Sequence, residues 1–526
     1  MLSDKSLRFE LQKADQFLRQ RNPDAALLAC QPLLEKYPKA LTPHFIMARA
    51  YQLLNRPDSM MESAERSLGL HPDHPQGLLM QIEALMAMGD KIGAAQKIAT
   101  MTESCDSEPL LLGRIAELQT QLGEHGAALA TLKAAIGAVA PGQNVDSALL
   151  YNLASAEIAV GNMQAAEMTL DRLIAAKPDD YDAYYNRATL RKQTLENNHV
   201  KDMRDALLTA AMKTMGEVQL WYGLAKEYED LGEHEDSFAA LARGAKVRRA
   251  NMPYRVEDDI NTMEAIQRVF DEAYFAAHTQ GCEDARPVFI TSLPRSGSTL
   301  TDRILSSHPD ISSAGEINDL AMLITQMSVG ATSKAELIRK SAVLDMRELG
   351  QRYVNVLKSH DDEALRVIDK TPLNFLYFGL IAKALPNATI IHVTRDPMDV
   401  GYAMFKTLFR MGYPFSYDLD DIAKYMGAKS RLMKHWHAMM PGRIKTVCYE
   451  DLVKTQEAAS RALVSATGLD WNEACLDFHK NQSASATASA AQVRRPVYNS
   501  SLQKWKNYSD QLQPLEQALR TQGILT

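Results

Sequence analysis

The N-terminal half of the chain repeats its pattern of small, apolar and polar residues about every 34 positions. Pro38 and Pro72 are 34 residues apart, and so are Gly89 and Gly123. Small side chains let two helices pack closely, and glycine permits the turn between them. The period therefore predicts about seven helix-turn-helix units over residues 7–250, of which the first, second and sixth are degenerate.

The pattern changes in the C-terminal half, where short apolar runs alternate with stretches of helical spacing. The first run, PVFIT at 287–291, is followed by a polar turn and a helical pattern, and ATIIHVT at 388–394 behaves in the same way. Strands that alternate with helices predict a parallel sheet with helices on both faces. We therefore predict a helical solenoid over 1–250, a helical linker over 251–284 and an α/β domain over 285–526.

Composition and charge narrow the class of protein. The chain has 526 residues, 46% of them apolar and 23% charged, so it is expected to fold into two or more domains. A net charge of -7 disfavours general binding to nucleic acid or to an anionic membrane. The N-terminal residues lack the apolar core of a secretory signal, and no stretch reaches about twenty apolar residues. These features predict a cytoplasmic protein.

The cysteines and histidines show no metal-binding pattern. The five cysteines are scattered without a C-x-x-C pair, which predicts neither a disulfide framework nor a zinc site. Four histidines of the C-terminal half lack the spacing of metal ligands and are predicted to be structural: His308, His392, His435 and His437. No metal is therefore predicted.

The turn PRSGSTL at 294–300 has the chemistry of an anion-binding loop. It joins a predicted strand to a predicted helix, and backbone N–H groups at a helix N-terminus bind phosphate groups. Gly297 allows close approach, and the donors are Arg295, Ser296, Ser298 and Thr299. The ATPase motif G-x-x-x-x-G-K-[ST] is missing, so Arg295 supplies the charge and its planar fork suits a tetrahedral oxyanion. We predict a nucleotide-like ligand held without a metal.

The N-terminal units resemble tetratricopeptide repeats. The last unit shows it best, with Trp221, Ala225, Tyr228 and Gly232 at the offsets of that family. The resemblance implies a stacked solenoid whose concave face suits an extended peptide or a partner protein. We predict that the repeats recruit a polypeptide acceptor, with stabilisation or dimerisation of the protein as the alternative. The sequence does not determine the oligomeric state.

Four motifs of the C-terminal half occur in one order: PRSGSTL, the Gly-Glu pair after HPDISSA, DKTP, and IIHVTRDPMDV. Together they resemble a sulfotransferase that uses 3′-phosphoadenosine 5′-phosphosulfate (PAPS). The resemblance is strongest to the protein-tyrosine sulfotransferase branch and to bacterial proteins that fuse this domain to tetratricopeptide repeats. It covers residues 285–526 and implies a P-loop-like α/β fold, PAPS as the sulfate donor and no metal.

The same resemblance implies which residues contact the donor. It assigns the 5′-phosphosulfate to the loop from Arg295 to Thr299, the 3′-phosphate to Arg395 and the adenine to Tyr449. The family usually has a serine eight residues after that second arginine, whereas this chain has Ala403. Three nearby cations are candidates to compensate for the missing hydroxyl: Lys406, Arg495 and Lys504.

The resemblance also implies the catalytic residues. Glu316 corresponds to the base that accepts the proton of the acceptor hydroxyl, because an alcohol or phenol is a poor nucleophile until that proton is partly removed. Lys370 corresponds to the lysine that stabilises charge on the bridging oxygen, together with Arg295. In the closing segment at 487–508, Ser489 and Lys504 are implied to reach the phosphosulfate, with Arg494 and Arg495 facing the same cleft. Without the resemblance, Glu316 would be interpreted as a loop or N-cap carboxylate and Lys370 as a surface residue.

Three functions are compatible with these observations. The first is sulfuryl transfer from PAPS to a hydroxyl acceptor, including a protein tyrosine recruited by the repeats. The second is a nucleotide-binding scaffold without turnover, which the substitution at Ala403 favours slightly. The third is a P-loop kinase, which the missing Gly-Lys-Ser/Thr disfavours. The sequence does not determine whether the acceptor is a polypeptide, a saccharide or a small molecule.

Overall fold

A computed structural model of the chain describes residues 2–104, 108–140, 142–409, 412–481 and 502–525. It contains two compact units, Met1–Arg191 and Lys192–Thr526. Helix pairs precede an α/β domain with a parallel sheet, so the predicted fold class is confirmed. Among the described residues, no helix has both the length and the apolar character that crossing a bilayer requires.

The described residues up to 250 form fourteen helices. The helices are α1 (Leu2–Arg19), α2 (Pro23–Lys36), α3 (Leu41–Leu53), α4 (Pro57–Leu70), α5 (Pro75–Met88), α6 (Lys91–Ser104), α7 (Pro109–Gln121), α8 (His125–Gly137), α9 (Ser147–Val160), α10 (Met163–Ala176), α11 (Tyr181–Thr189), α12 (Val200–Thr209), α13 (Met215–Leu231) and α14 (His234–Ala250). Glycine ends α5, α9 and α13 in a left-handed conformation. Arg21 takes the same conformation in the first turn, with φ +54°. A side chain other than glycine is disfavoured there, which explains why the first unit looks degenerate in sequence.

The sixth unit of the sequence is irregular, as its degenerate pattern predicts. Its helices, α11 and α12, have only 9 and 10 residues, and the long segment 190–199 lies between them in the chain. The division between the two compact units falls inside that segment, at Arg191 and Lys192. Although α14 ends at Ala250, where the solenoid is predicted to end, the last repeat therefore belongs to the same compact unit as the α/β domain.

The last helix pair packs closely because it has small residues where the helices meet. A Cβ atom at Gly244 would lie 2.9 Å from the side chains of both Trp221 and Tyr222. Ala225 and Ala240 are buried in the same interface. The absence of a Cβ at such a position lets α14 approach α13, which is the physical reason for small residues in this repeat.

The α/β domain begins after two further helices. Its helices, with those that precede it, are α15 (Val256–Val269), α16 (Glu272–Ala276), α17 (Ser298–Leu305), α18 (Asp319–Met327), α19 (Lys334–Ser341), α20 (Met346–His360), α21 (Phe378–Ala384), α22 (Pro397–Phe405), α23 (Leu419–Met439), α24 (Tyr449–Lys454), α25 (Gln456–Ala466) and α26 (Gln513–Thr521). Short 3₁₀ helices span Pro372–Tyr377, Pro414–Tyr417, Glu473–Cys475, Phe478–Lys480 and Lys504–Tyr508.

The five strands of the domain form one parallel sheet in the order β2-β3-β1-β4-β5. They are β1 (Pro287–Thr291), β2 (Ile311–Gly315), β3 (Arg366–Asp369), β4 (Thr389–Thr394) and β5 (Ile444–Cys448). All five residues of the central strand β1 are buried, as expected when helices cover both faces of a parallel sheet. Val288, Ile290, Ile368 and Ile391 belong to one core cluster with Ile304 of α17. The strand order reverses at β1, and ligands of open parallel sheets bind at such a reversal.

Candidate active site

All five strands end next to predicted site residues. Glu316 follows β2, Lys370 follows β3, Arg395 follows β4 and Tyr449 follows β5, while β1 leads into the loop at 292–297. Because the strands are parallel, their carboxyl ends lie at one edge of the sheet. The strand order places the loop in the middle, with Lys370 and Glu316 on one side and Arg395 and Tyr449 on the other.

The loop between β1 and α17 has the backbone of an anion-binding turn. Arg295 and Gly297 have φ values of +66° and +103°, and the N–H group of Ser296 donates to the carbonyl of Leu293 over 3.3 Å. Helix α17 begins at Ser298, so the N–H groups of its first turn have no partners within the helix. The positive end of the helix dipole therefore faces the loop.

Gly297 is needed here for space as well as for its backbone conformation. A Cβ atom at this position would overlap the ring of Tyr449. The ring of Tyr449 also lies under the guanidinium group of Arg395, 4.7 Å from ring centre to guanidinium carbon. The aromatic ring at the end of β5 thus packs directly against the loop and against the second arginine.

Arg395 joins the loop to the neighbouring helix. Its Nη1 atom donates to the backbone carbonyl of Arg295 over 3.1 Å, and its Nη2 atom lies 3.7 Å from Oδ2 of Asp399 on α22. Burial raises the pKa of Asp399, although the nearby positive charge of Arg395 opposes that shift. The loop, Arg395 and Tyr449, which lie far apart in sequence, form one continuous group.

Glu316 and Lys370 form an ion pair on the other side of the loop. Nζ of Lys370 lies 2.5 Å from Oε1 of Glu316. The lysine side chain is only 2% exposed, whereas the glutamate is 45% exposed, so a ligand at this edge has access to the carboxylate. The N–H group of Lys370 donates to the carbonyl of Gly315 over 2.8 Å, and Thr371 hydrogen-bonds both backbone groups of Ile317. These bonds hold the two motifs together.

Two buried carboxylates of the domain were not predicted as site residues. Asp369 accepts hydrogen bonds from Tyr353, Asn374 and the N–H group of Thr371 at 2.6 to 2.9 Å. Asp302 lies on α17, and its Oδ1 atom has no hydrogen-bond partner among the described residues. Burial raises the pKa of both carboxyl groups. The DKTP motif contains Asp369, but no local pattern distinguishes Asp302.

The other residues predicted to contact the nucleotide lie near Glu229 or outside the described residues. Lys504 and Lys406 both bond Glu229 of α13, a residue that the sequence analysis did not predict. Ala403 lies buried on α22, one turn before Lys406. Three predicted residues, Ser489, Arg494 and Arg495, lie outside the described residues. Within the described ranges, no group of three or more His, Cys, Asp or Glu side chains is placed to hold a metal ion.

Comparison with known proteins identifies this domain. Residues 287–473, which contain all five strands, match the family described as "Sulfotransferase family". These residues form a sulfotransferase-family domain. The predicted sulfotransferase resemblance is thus confirmed for residues 287–473, and a series of helices precedes this domain.

Relatives of the sulfotransferase domain are distant. An uncharacterized protein of Aquifex aeolicus is 25% identical over 383 residues, which cover 71% of this chain and 50% of that protein. A protein-tyrosine sulfotransferase of Drosophila melanogaster is 23% identical over 231 residues, 41% of this chain and 46% of that protein. The chain thus spans about half the length of these two relatives. Among solved structures, the sulfotransferase domain from the Synechococcus PCC 7002 olefin synthase is 20% identical and covers 44% of this chain and 89% of its own, with a TM-score of 0.33.

Proposed function

We propose that the protein transfers a sulfuryl group from PAPS to a hydroxyl group of an acceptor, with Glu316 as the base. The observation that carries the proposal is the edge of the sheet where an anion-binding loop lies between the half-buried Arg395 on one side and a carboxylate–ammonium pair on the other. A bis-phosphorylated nucleotide needs two cationic anchors, and the guanidinium group of Arg395 reaches the loop that carries Arg295, where it donates to the backbone carbonyl of Arg295. The overlap that a side chain at Gly297 would cause indicates a loop built for close approach.

Each residue has a role that its chemistry allows. The loop from Arg295 to Thr299 would bind the 5′-phosphosulfate through its N–H and hydroxyl donors. Arg395 would bind the 3′-phosphate, and Tyr449 would pack against the adenine. When bound, the donor supplies an electrophilic sulfur with a phosphate leaving group. Ser489, Arg495 and Lys504 of the closing segment are proposed to cover the phosphosulfate.

The acid–base step requires Glu316 and Lys370 to act separately. Glu316 accepts the proton of the acceptor hydroxyl as its oxygen attacks sulfur. Lys370 donates a hydrogen bond to the bridging oxygen and stabilises the negative charge that develops there as the bond to sulfur breaks. Their contact of 2.5 Å keeps both groups at the reacting edge.

We further propose that the acceptor is a polypeptide bound by the repeats, including one that presents a tyrosine. The first helices of successive repeats carry polar side chains that bond one another across the repeats. Tyr151 donates to Asp182 over 2.6 Å, and Asn152 donates to Glu117 over 3.2 Å. Arg114 bonds both Glu117 and the preceding repeat's Glu83, each over 2.5 Å. Such a row of half-buried polar groups suits the backbone and polar side chains of an extended peptide.

Calorimetry and a transfer assay test the activity. The wild type is expected to bind adenosine 3′,5′-bisphosphate and not ATP, and to transfer labelled sulfate from PAPS to members of a peptide library. Glu316→Gln is expected to lower kcat by about 10²- to 10⁴-fold, the usual contribution of a general base, while nucleotide affinity changes less than about 3-fold. Glu363→Gln, an exposed carboxylate on the loop before β3, is the matched control and should leave both values unchanged.

A second arm of the same assay tests recruitment. The combined change Glu117→Ala, Asn152→Ala and Asp182→Ala is expected to raise KM for a peptide acceptor and to leave transfer to a small phenol unchanged. A wild type that binds the bisphosphate but transfers sulfate to no hydroxyl acceptor would instead identify the nucleotide-binding scaffold. Tight binding of ATP would favour the kinase.

A further inference from the structure

Glu229 connects the last repeat to the helix that follows β4. It lies on α13, and its two carboxylate oxygens each accept a hydrogen bond from Nζ of Lys406 over 2.8 Å. Tyr402 donates to Oε2 over 3.2 Å, and Lys504 of the C-terminal segment donates to Oε1 over 3.3 Å. One carboxylate therefore holds side chains from two different elements of the sulfotransferase domain.

The group carries an excess of positive charge. The carboxylate of Glu229 faces two ammonium groups. Burial alone would raise the pKa of Glu229, but Lys406 and Lys504 outweigh it and lower the pKa to about 2. Burial lowers the pKa of Lys406, the carboxylate of Glu229 opposes that shift, and the positive charges of Lys504 and Arg295 add to it. Lys406 thus lies within electrostatic reach of Arg295 in the anion-binding loop.

The C-terminal segment is fixed to the same surface. The N–H group of Gln503 donates to Oδ2 of Asp399 over 2.8 Å. The ring of Tyr508 lies 4.6 Å from that of Tyr402, and its hydroxyl group lies 3.3 Å from Oγ of Ser237 on α14. Lys504 therefore approaches Glu229 on a segment that is held at both ends by α22 and by the last repeat.

We propose that Glu229 is a positioning residue of the donor site. Glu229 holds the ammonium groups of Lys406 and Lys504 beside the anion-binding loop, where they bind a phosphate group of the nucleotide. This inference rests on the proposed function, because it concerns the same ligand. An ammonium group has three donors, so a lysine that bonds Glu229 keeps others for phosphate oxygens. Ala403 on α22 has no side-chain donor, whereas Lys406, three residues later, and Lys504 each supply an ammonium group beside Glu229.

The test is calorimetric titration with adenosine 3′,5′-bisphosphate. Glu229→Gln is expected to weaken binding about 10-fold, the size of one lost charge-assisted hydrogen bond. Glu229→Asp keeps the charge but shortens the side chain, so it is expected to weaken binding to a similar degree. Glu233→Gln, an exposed residue of the same repeat whose side chain caps no helix, is the matched control and should stay within about 2-fold of the wild type.

Kinetics and a double variant separate positioning from a general effect on the fold. Glu229→Gln should raise the KM for PAPS about 10-fold and leave kcat at saturating donor and the acceptor KM within about 3-fold. Lys504→Met should change the donor KM in the same direction, and the double variant should be no weaker than Glu229→Gln by more than about 2-fold, because Glu229→Gln already releases Lys504. If Glu229→Gln does not fold, Glu229→Asp and Lys504→Met carry the same test.

The outcomes distinguish this inference from the proposed function. A wild type that binds the bisphosphate while Glu229→Gln binds it equally or more tightly overturns the inference and leaves the proposed function intact. Unchanged affinity in Glu229→Asp overturns it as well, since charge alone would then suffice. A wild type that does not bind the bisphosphate overturns both.

Discussion

At the scale of single residues, the most unusual pair outside the active site is Lys429 and His392. Nζ of Lys429 lies 2.7 Å from Nε2 of His392, and both side chains are buried between α23 and β4. Phe375 covers the ammonium group, with the ring centre 5.6 Å away. His392, which we predicted to be structural, has no partner for its Nδ1 atom within the described residues. A buried lysine beside a neutral histidine makes stability depend on pH.

Lys429→Met is expected to flatten that pH dependence. Burial lowers the pKa of Lys429 from 10.5 to about 7. Between pH 7 and pH 10.5 the Lys429 amine is protonated in the unfolded chain but mostly neutral in the folded one, so the free energy of unfolding rises with pH in this range. Below pH 7 the folded chain carries the full cost of burying the charged amine. Over this window the wild type should gain on the order of 4 kcal/mol in unfolding free energy relative to Lys429→Met. Urea unfolding at pH 7 and pH 10 measures the difference.

Lys434→Met, an exposed residue on the same helix, is the matched control for that measurement. It should follow the wild type at both pH values. A Lys429→Met profile parallel to that of the wild type would show that the buried amine does not titrate in this range.

At the scale of elements, the turn between β1 and α17 combines two demands on Gly297. The backbone needs a positive φ, and the Tyr449 ring occupies the space of a side chain. Gly442, in the turn after α23, has φ +77°, but a Cβ atom added there would meet nothing within 4 Å. Comparing substitutions at the two glycines therefore distinguishes the effect of backbone strain from that of steric overlap.

Gly297→Ala is expected to weaken binding of adenosine 3′,5′-bisphosphate by more than about 10-fold, because Tyr449 and Arg395 must shift away from the loop. Gly442→Ala should cost about 1–2 kcal/mol of stability from its left-handed backbone and leave the affinity unchanged. Thermal unfolding and calorimetry on both variants check this. Equal affinities in the two variants would mean that the packing of Tyr449 on the loop does not matter for binding.

The sites at the strand ends show how much of each element follows from sequence. Glu316 and Lys370 each stand directly after a strand, but their roles were predicted only from the family resemblance, and neither β2 nor β3 was predicted as a strand. Their contact could not be predicted either, because it needs β2 and β3 to be neighbours although α18, α19 and α20 separate them in the chain. That adjacency arises from packing of the whole sheet.

At the scale of the whole molecule, the last repeat is structurally part of the transferase unit. Tyr222 donates to the carbonyl of Phe405 over 3.1 Å, and Phe238 packs against both Phe405 and Tyr508. Phe405 and Tyr508 are almost fully buried. The compact unit therefore begins at Lys192 and not at the end of the repeats.

Two truncations test that division. A chain of residues 192–526 contains a complete compact unit with its own core, so it is expected to elute as a single species and to unfold cooperatively. Its affinity for the bisphosphate should be within about 3-fold of that of the full chain. A chain of residues 251–526 exposes Phe405 and Tyr508 and lacks Glu229, so it should aggregate or bind much more weakly. Size-exclusion chromatography and calorimetry compare them. Equal behaviour of the two would support residue 250 as the functional boundary.

The sequence by itself determined the features that depend on a few neighbouring residues: the period of the repeats, the weak sixth repeat, the strands β1 and β4, and the anion-binding turn. The tertiary structure decided the strand order, the ion pair of Glu316 with Lys370 and the insertion of Glu229 between Lys406 and Lys504. The physical reason is the distance along the chain over which each interaction acts. Periodicity and turn chemistry are local preferences, whereas contacts between residues 229, 406 and 504 depend on packing energies summed over an entire core.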